Sequence, residues 1–452
     1  FIFIVNTSNK KIVYPPWEGI FDQQGSDCFG NRCEFGNLDN KKIFLIGDVK
    51  AAECKEILNA KNLITLPGII DTQVHFREPG LTHKEDIFHG TKSALFGGIT
   101  SIFEMPNTNP PTINKKALKS KINIAKKRSW TNFAFFIGAS KSNIRDLQKL
   151  EKEDGCAGIK MFMGSSTGNL LVSEEELVEQ VLKTCKRRVS IHSEDEDRLI
   201  RNFKRIDFTN GVSEHEKWRD PKSALISTKK VLKYAKKYNA KAHILHISSK
   251  EEMQVLRKKS QNVTVEVTPQ HLSLYSPKCY LELGSLAQMN PPIRNKDHQN
   301  ALWKGINDNI VNVIGSDHAP HTLQEKSKVW PSSPSGMPGV QTILPIMLNH
   351  VNKRKITLVK LVNLLSTQPA KIFGIKNKGL ILKGYDADLT VIDLRKETLI
   401  SNKKIVSKSR WTPFNNKRIK GTPIATIVNG KLKMFRGKLL GRPNGKIIEF
   451  EE

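Results

Sequence analysis

At 452 residues and 51.0 kDa the chain can bury a full-sized core, as one large domain beside a smaller one. No apolar run approaches the roughly 18 residues of a membrane span, which excludes a helical membrane protein. The balance of 73 basic against 44 acidic residues gives a formal charge of +29. The lysines (Lys229, Lys230, Lys236, Lys237, Lys353, Lys355) are nevertheless scattered without aromatic interleaving, so the charge argues for drawing in small anions rather than for binding nucleic acid.

No charged-then-apolar leader is read at Phe1 to Lys10. The first residue is not Met, so the numbering is read as starting inside the encoded protein. The six cysteines, Cys28, Cys33, Cys54, Cys156, Cys185 and Cys279, form no C-x-x-C pair. Reduced thiols in a cytoplasmic enzyme are the expectation. Cys28 and Cys33 are read as ordinary loop residues, with a disulfide or a metal site as the alternative.

In chain order, residues 1–65 carry short β-type runs, and residues 15–40 fit no periodic pattern and are read as loop. From about 66 to 320, apolar strand-like runs alternate with amphipathic stretches: Leu66–His75, Thr100–Met105, Asn132–Gly138, Ala157–Met163, Arg188–His192, Ala242–Ile247, Val263–Val267 and Val311–Gly315. The spacings leave room for crossover helices. Helix starts are marked by Ser173 with Glu176, by Ser249 with Glu252, and by Asp220 before Pro221. Eight such units predict an α/β fold, a (β/α)8 TIM barrel over 66–375, with its chemistry at the C-terminal strand ends. Residues 376–452 return to β-type runs, Asp388–Asp393 and Ile424–Val428, followed by Asn429-Gly430. Together with 1–65 they are expected to form a small composite β-sandwich.

Polar residues recur where the barrel strands should end. The segment GIIDTQVHFREPG (Gly68–Gly80) ends an apolar strand in Gln73, His75 and Arg77, which share one side of an extended chain. A neutral imidazole can bind a metal, and a guanidinium can grip a carboxylate with two bonds. Later strand ends offer Asn107, Lys160, His192, His246 and Asp317. A lysine inside an apolar strand is costly and loses its proton readily. It either pairs with a carboxylate elsewhere in the chain or reacts with carbon dioxide to give a carbamate that bridges two metals. Three histidines, one lysine and one aspartate on separate strand tips point to a metal centre.

The motifs HFREPG, EMPNTNPP, GIKMFMGSSTG, HSED, TPQHL, MNPPIR and GSDHAPH together resemble the amidohydrolase superfamily, and within it the dihydroorotases of the longer, barrel-plus-sandwich type. The likeness runs from about Leu66 to Gly374 and resumes at Arg410–Phe414 and the VNGK segment. The resemblance implies zinc, one or two ions per subunit. His192 and His246 would bind one, His75 and Asp317 the other, and carboxylated Lys160 would bridge them. It further implies that Arg77, Asn107 and His321 hold the substrate carboxylate, that Asn290 lies near the ring, and that Gly336–Gly339 helps close the site. The implied reaction is the reversible cyclisation of N-carbamoyl-L-aspartate to L-dihydroorotate in pyrimidine synthesis, with Asp317 as the proton carrier and a homodimer as the assembly. The chain departs from the pattern at Gln73, where the superfamily usually has a second histidine; an amide oxygen is a poorer zinc donor. Hydantoinase and allantoinase chemistry is the nearest alternative, and a catalytically impaired scaffold is another. Arg77 favours dihydroorotate, because allantoin has no carboxylate for it to hold.

Overall fold

The computed structural model describes residues 2–5, 34–36, 42–43, 45–47, 56–166 and 170–451. The apolar runs of the central region become eight parallel strands: β1 (Ile69–Val74), β2 (Ile99–Glu104), β3 (Asn132–Gly138), β4 (Cys156–Phe162), β5 (Val189–His192), β6 (Ala242–Ile244), β7 (Val263–Val267) and β8 (Val313–Ile314). They pair in sequence order, and every residue in them is buried. That is why they read as continuous apolar runs rather than as alternating ones: helices cover one face and the barrel interior the other. Closure occurs just past β8, where Val74 bridges His318 in parallel and the His75 amide donates to the His318 carbonyl at 2.8 Å. The barrel is thus sewn shut at the strand tips that carry the polar residues.

Two of the three expected helix starts are realised. Ser249 and Glu252 form a reciprocal capping box on Lys250–Leu256, and Asp220 caps Pro221–Tyr238 through the Ser223 amide. The third is not. Helix Glu175–Thr184 begins after Glu174 with no side-chain cap, and its acidic first turn, Glu175 and Glu176, complements the helix dipole instead.

The run Leu66–His75 is two strands rather than one. Ile64–Pro67 pairs antiparallel with β9 (Leu389–Leu399), and the barrel begins only after Gly68. A Cβ on Gly68 would lie 2.3 Å from Thr100 Oγ1 and 2.8 Å from Asp388 Cβ, so the crossing from sheet to barrel requires glycine. β9 continues into an antiparallel sheet with β10 (Arg418–Val428), β11 (Lys431–Phe435) and β12 (Lys438–Leu439). Asn429 and Gly430, both at positive φ, make the β10–β11 turn, as an Asn-Gly pair favours. Within residues 15–40, Glu34–Gly36 proves to be a strand; the rest of that stretch, with Cys28 and Cys33, lies outside the described residues, as does Cys54. It joins Ile2–Val5, Leu45–Gly47 and Glu56–Asn59 in a four-stranded sheet. Ile43, Leu58, Ile381, Leu389, Val391 and Ile427 form a core shared between the chain's two ends. Cys156, Cys185 and Cys279 are buried free thiols. Among the described residues no helix is long and apolar enough to cross a membrane.

Candidate metal and substrate site at the barrel mouth

At the C-terminal strand ends lies a cleft with about 360 Å³ of open space, lined among others by Gln73, His75, Arg77, Asn107, Lys160, His192, His246, Asn290 and Asp317. Strand alternation sends Gln73 and His75 to the same side of β1. Beyond the strand tips the backbone turns sharply. Arg77, His246 and Asp317 have φ of +62°, +36° and +43°, a region that costs side-chain-bearing residues on the order of 1–3 kcal/mol each. The surrounding barrel sustains that cost.

Two pairs of potential ligands face one another. In the first, Nδ1 of His192 is 3.1 Å from Nε2 of His246. Glu194 accepts from His192 Nε2 at 2.8 Å, which fixes the tautomer and leaves Nδ1 as a bare lone pair. His246 Nδ1 is buried without a partner. In the second, Nε2 of His75 is 3.4 Å from Asp317 Oδ1, and Gln73 Nε2 donates to the same oxygen at 3.0 Å. His75 Nδ1 lies 2.7 Å from Asn107 Oδ1.

Burial sets the protonation states. It lowers His75 to about 4, lowers His192, and takes His246 well below its ordinary value with help from His192. All three are therefore neutral, as metal ligation demands. Lys160 is pushed down to about 7 by burial. Among the described residues it makes no ion pair, so the salt-bridge alternative is not realised; its Nζ lies 4.4 Å over the Phe162 ring. Burial alone would raise Asp317, but its polar neighbours His75, His246 and Lys160 outweigh it and hold the carboxyl below its usual range.

These residues fit a divalent cation. Two nitrogens bound tetrahedrally to zinc stand about 3.3 Å apart, close to the His192–His246 spacing. The facing nitrogens of His192 and His246 suit a shared cation, and Glu194 offers the kind of outer carboxylate that metal-bound histidines use. Among the described residues no three His, Cys, Asp or Glu side chains form a ready cluster. Lys160, its ammonium held less firmly than usual at a pKa of about 7, lines the same cleft.

On the substrate side, Arg77 is 1% exposed and has no ion pair among the described residues. Its Nη1 is buried without a partner, and Nε reaches only the Pro320 carbonyl, at 3.4 Å. Burial lowers its pKa to about 10, so it keeps its charge. His321 is not on the cleft wall. It stands behind Arg77, its Nδ1 taking a hydrogen from Lys84 at 3.1 Å and its Nε2 giving one to the Ser335 carbonyl at 3.0 Å. With both nitrogens so used, it has nothing with which to accept from Arg77, 3.4 Å away.

A model of the amidohydrolase family matches residues 64–433. The chain belongs to the amidohydrolase family. A dihydroorotase of Methanosphaera stadtmanae is 38% identical over 414 residues, covering 87% of this chain and 94% of that one. Dihydroorotases of Pyrococcus horikoshii (36%, covering 87% and 86%) and Methanothermobacter thermautotrophicus (33%, covering 96% and 98%) are also similar. Among solved structures, an L-hydantoinase from Arthrobacter aurescens superposes with a TM-score of 0.90 over 99% of both chains at 24% identity, a likeness of fold.

Several residues of this amidohydrolase site were not evident in the sequence. Glu194 sits two positions after His192, and Arg219 donates to it from Nη2 at 2.5 Å. Arg219 and His192 together hold the Glu194 carboxyl below its usual range against the upward pull of burial. Phe162, Ser166, Ser335 and Gly336 also line the cleft. The HSED run contains the signal for Glu194; Arg219 gives none, because its partner is 25 positions away. Gly336, at φ +140°, lies where a Cβ would be 2.4 Å from the Ala319 carbonyl, so glycine is required for the loop after β8 to close on the cleft.

Proposed function

We propose that this cyclic amide hydrolase is a dihydroorotase, interconverting N-carbamoyl-L-aspartate and L-dihydroorotate. The observation that carries the reading is Arg77: a buried guanidinium on the cleft wall with an unpartnered Nη1 and, among the described residues, no carboxylate paired to it. A substrate with a fixed carboxylate satisfies it; hydantoin and allantoin have none.

His192, His246, His75, Asp317 and carboxylated Lys160 would hold zinc, with Gln73 as a weak neighbour. The chemistry supplied by a bound zinc ion is acidification of water and polarisation of the scissile carbonyl. The chain's own groups do the rest. Arg77 grips the ring carboxylate, and Asn107 turns His75 through its Nδ1. In ring opening, Asp317 takes a proton from the attacking water as the carbon–oxygen bond forms. It then delivers that proton to the ring nitrogen as the carbon–nitrogen bond breaks. In ring closure the same carboxylate takes the proton from the carbamoyl nitrogen. Gln73 Nε2, bonded to Asp317 Oδ1, orients it for both directions.

Steady-state rates with L-dihydroorotate, hydantoin and allantoin test the reading. Preference for dihydroorotate is expected; preference for either uncharged ureide rejects it, and absence of turnover with all three favours an impaired scaffold. The homodimer and cytoplasmic location belong to the same reading, and sedimentation of the purified protein tests the former.

A further inference from the structure

His215 lies on the short helix His215–Trp218, fully buried and outside every motif that carries the chemistry above. Its Nε2 is 3.0 Å from the Met289 carbonyl and 3.0 Å from Asn290 Oδ1. A backbone carbonyl can only accept, so Nε2 must carry the hydrogen. The end of the Asn290 carboxamide beside it is therefore oxygen, and the NH2 end is turned away. Among the described residues Asn290 Nδ2 has no hydrogen-bond partner, and Asn290 lines the cleft. His215 Nδ1 is buried without a partner, consistent with a single-proton imidazole in this tautomer. Burial, reinforced by Arg219, lowers its pKa to about 3, so the ring stays neutral. Trp218 meets it edge-on at 5.5 Å and Trp330 at 6.5 Å, which fixes the plane of the ring.

We propose that His215 is a positioning residue for substrate recognition: it locks the Asn290 carboxamide so that the cleft wall presents a hydrogen-bond donor to a carbonyl oxygen of the cyclic amide. This rests on the function proposed above and deepens it. Without the lock the amide of Asn290 can turn by half a revolution, and its oxygen would then oppose the substrate oxygen. Donor and acceptor ends of an amide have nearly the same shape, so packing alone cannot choose between them; a donor with a fixed tautomer can.

The test is a kinetic cycle. His215→Phe keeps a ring but loses the donor, and KM is expected to rise about tenfold with kcat within about threefold, the size of one lost neutral hydrogen bond. His215→Gln, which restores a donor, is expected to recover most of the loss. In an Asn290→Ala background, His215→Phe is expected to change KM no further. Unchanged KM in His215→Phe, or effects that multiply in the double variant, would overturn the proposal. Nitrogen-15 NMR of histidine-labelled wild-type protein reads the tautomer without any variant or turnover; a proton on Nδ1 of His215 also overturns it. If the wild type prefers hydantoin or allantoin, the dihydroorotase reading fails, and the same cycle run on that ureide still decides the role of His215.

Discussion

Arg77→Ala isolates the recognition of the substrate carboxylate. The guanidinium has already lost most of its hydration, and among the described residues no carboxylate is paired with it. A bound carboxylate would therefore form charge-assisted bonds with little further desolvation of the arginine. Two such bonds at about 1.5 kcal/mol each, the low end for charged partners, amount to about 3 kcal/mol, or about 150-fold in KM. The folded state should tolerate the change. The space left behind opens onto the cleft and can fill with water, and an uncompensated buried charge is removed. The assay is steady-state hydrolysis of L-dihydroorotate beside thermal melting, with hydantoin as the control. KM for dihydroorotate should rise about 150-fold while any slow hydantoin turnover stays within twofold. A dihydroorotate KM within twofold of wild type, in a variant that melts normally, would show that the carboxylate does not sit against Arg77.

Asp317→Asn should lower kcat by about a thousandfold, in the range for removing a general acid–base, with the melting temperature little changed; retention of a tenth of wild-type activity would rule out Asp317 as the proton carrier. Chelation should abolish turnover and zinc should restore it, with metal analysis finding about one tightly held ion per chain. Gln73→His should raise that number towards two, because the amide is a weak donor and its Nε2 is already committed to Asp317. In the metal-free protein, Glu194 has a folded-state pKa below its unfolded value of about 4.3. Between those values the unfolded chain binds more protons, so stability rises with pH there; the contribution is complete above about 4.3 and lost as pH falls through the folded value. Glu194→Gln should flatten the fall in melting temperature on acidification below pH about 4.5, and an unaltered slope would contradict the buried Glu194–Arg219 pairing.

What could be read in the sequence was whatever a short window encodes. The eight barrel strands are apolar runs buried on both faces, and their positions follow within a few residues. The polar tips follow from the barrel itself, since His75, His192, His246 and Asp317 end strands that must converge. Ser249 and Asp220 cap helices because their partners are three residues away. Ser173 does not, since the acidic turn after Glu174 offers the helix dipole an alternative. Gly68 escaped notice because its need is tertiary: Thr100 and Asp388 crowd it from distant parts of the chain. The same holds for Arg219 and His215, whose partners Glu194 and Asn290 are 25 and 75 positions away. His321 illustrates the opposite limit: its motif placed it near the carboxylate, but the Ser335 carbonyl and Lys84 draw it behind Arg77.

The unmet polar demands of the site have a common direction. Arg77 Nη1, His246 Nδ1 and Gln73 Oε1 are all buried and unpartnered, and all belong to residues on one cleft. Each costs roughly 1–3 kcal/mol in a closed protein. They stand beside backbone turns at Arg77, His246 and Asp317 that are themselves costly. The apolar core of the barrel and the core shared by the chain's two ends form the frame that holds these groups in place. A carboxylate can answer Arg77, and a cation can replace the hydrogen shared between His192 Nδ1 and His246 Nε2. The free energy withheld from folding at the cleft is thereby available when substrate and metal arrive, and it is available only to ligands of the right charge at the right strand tip. A neutral ureide leaves Arg77 unanswered, which is why the choice between dihydroorotate and hydantoin rests on this one guanidinium more than on the shape of the barrel they share.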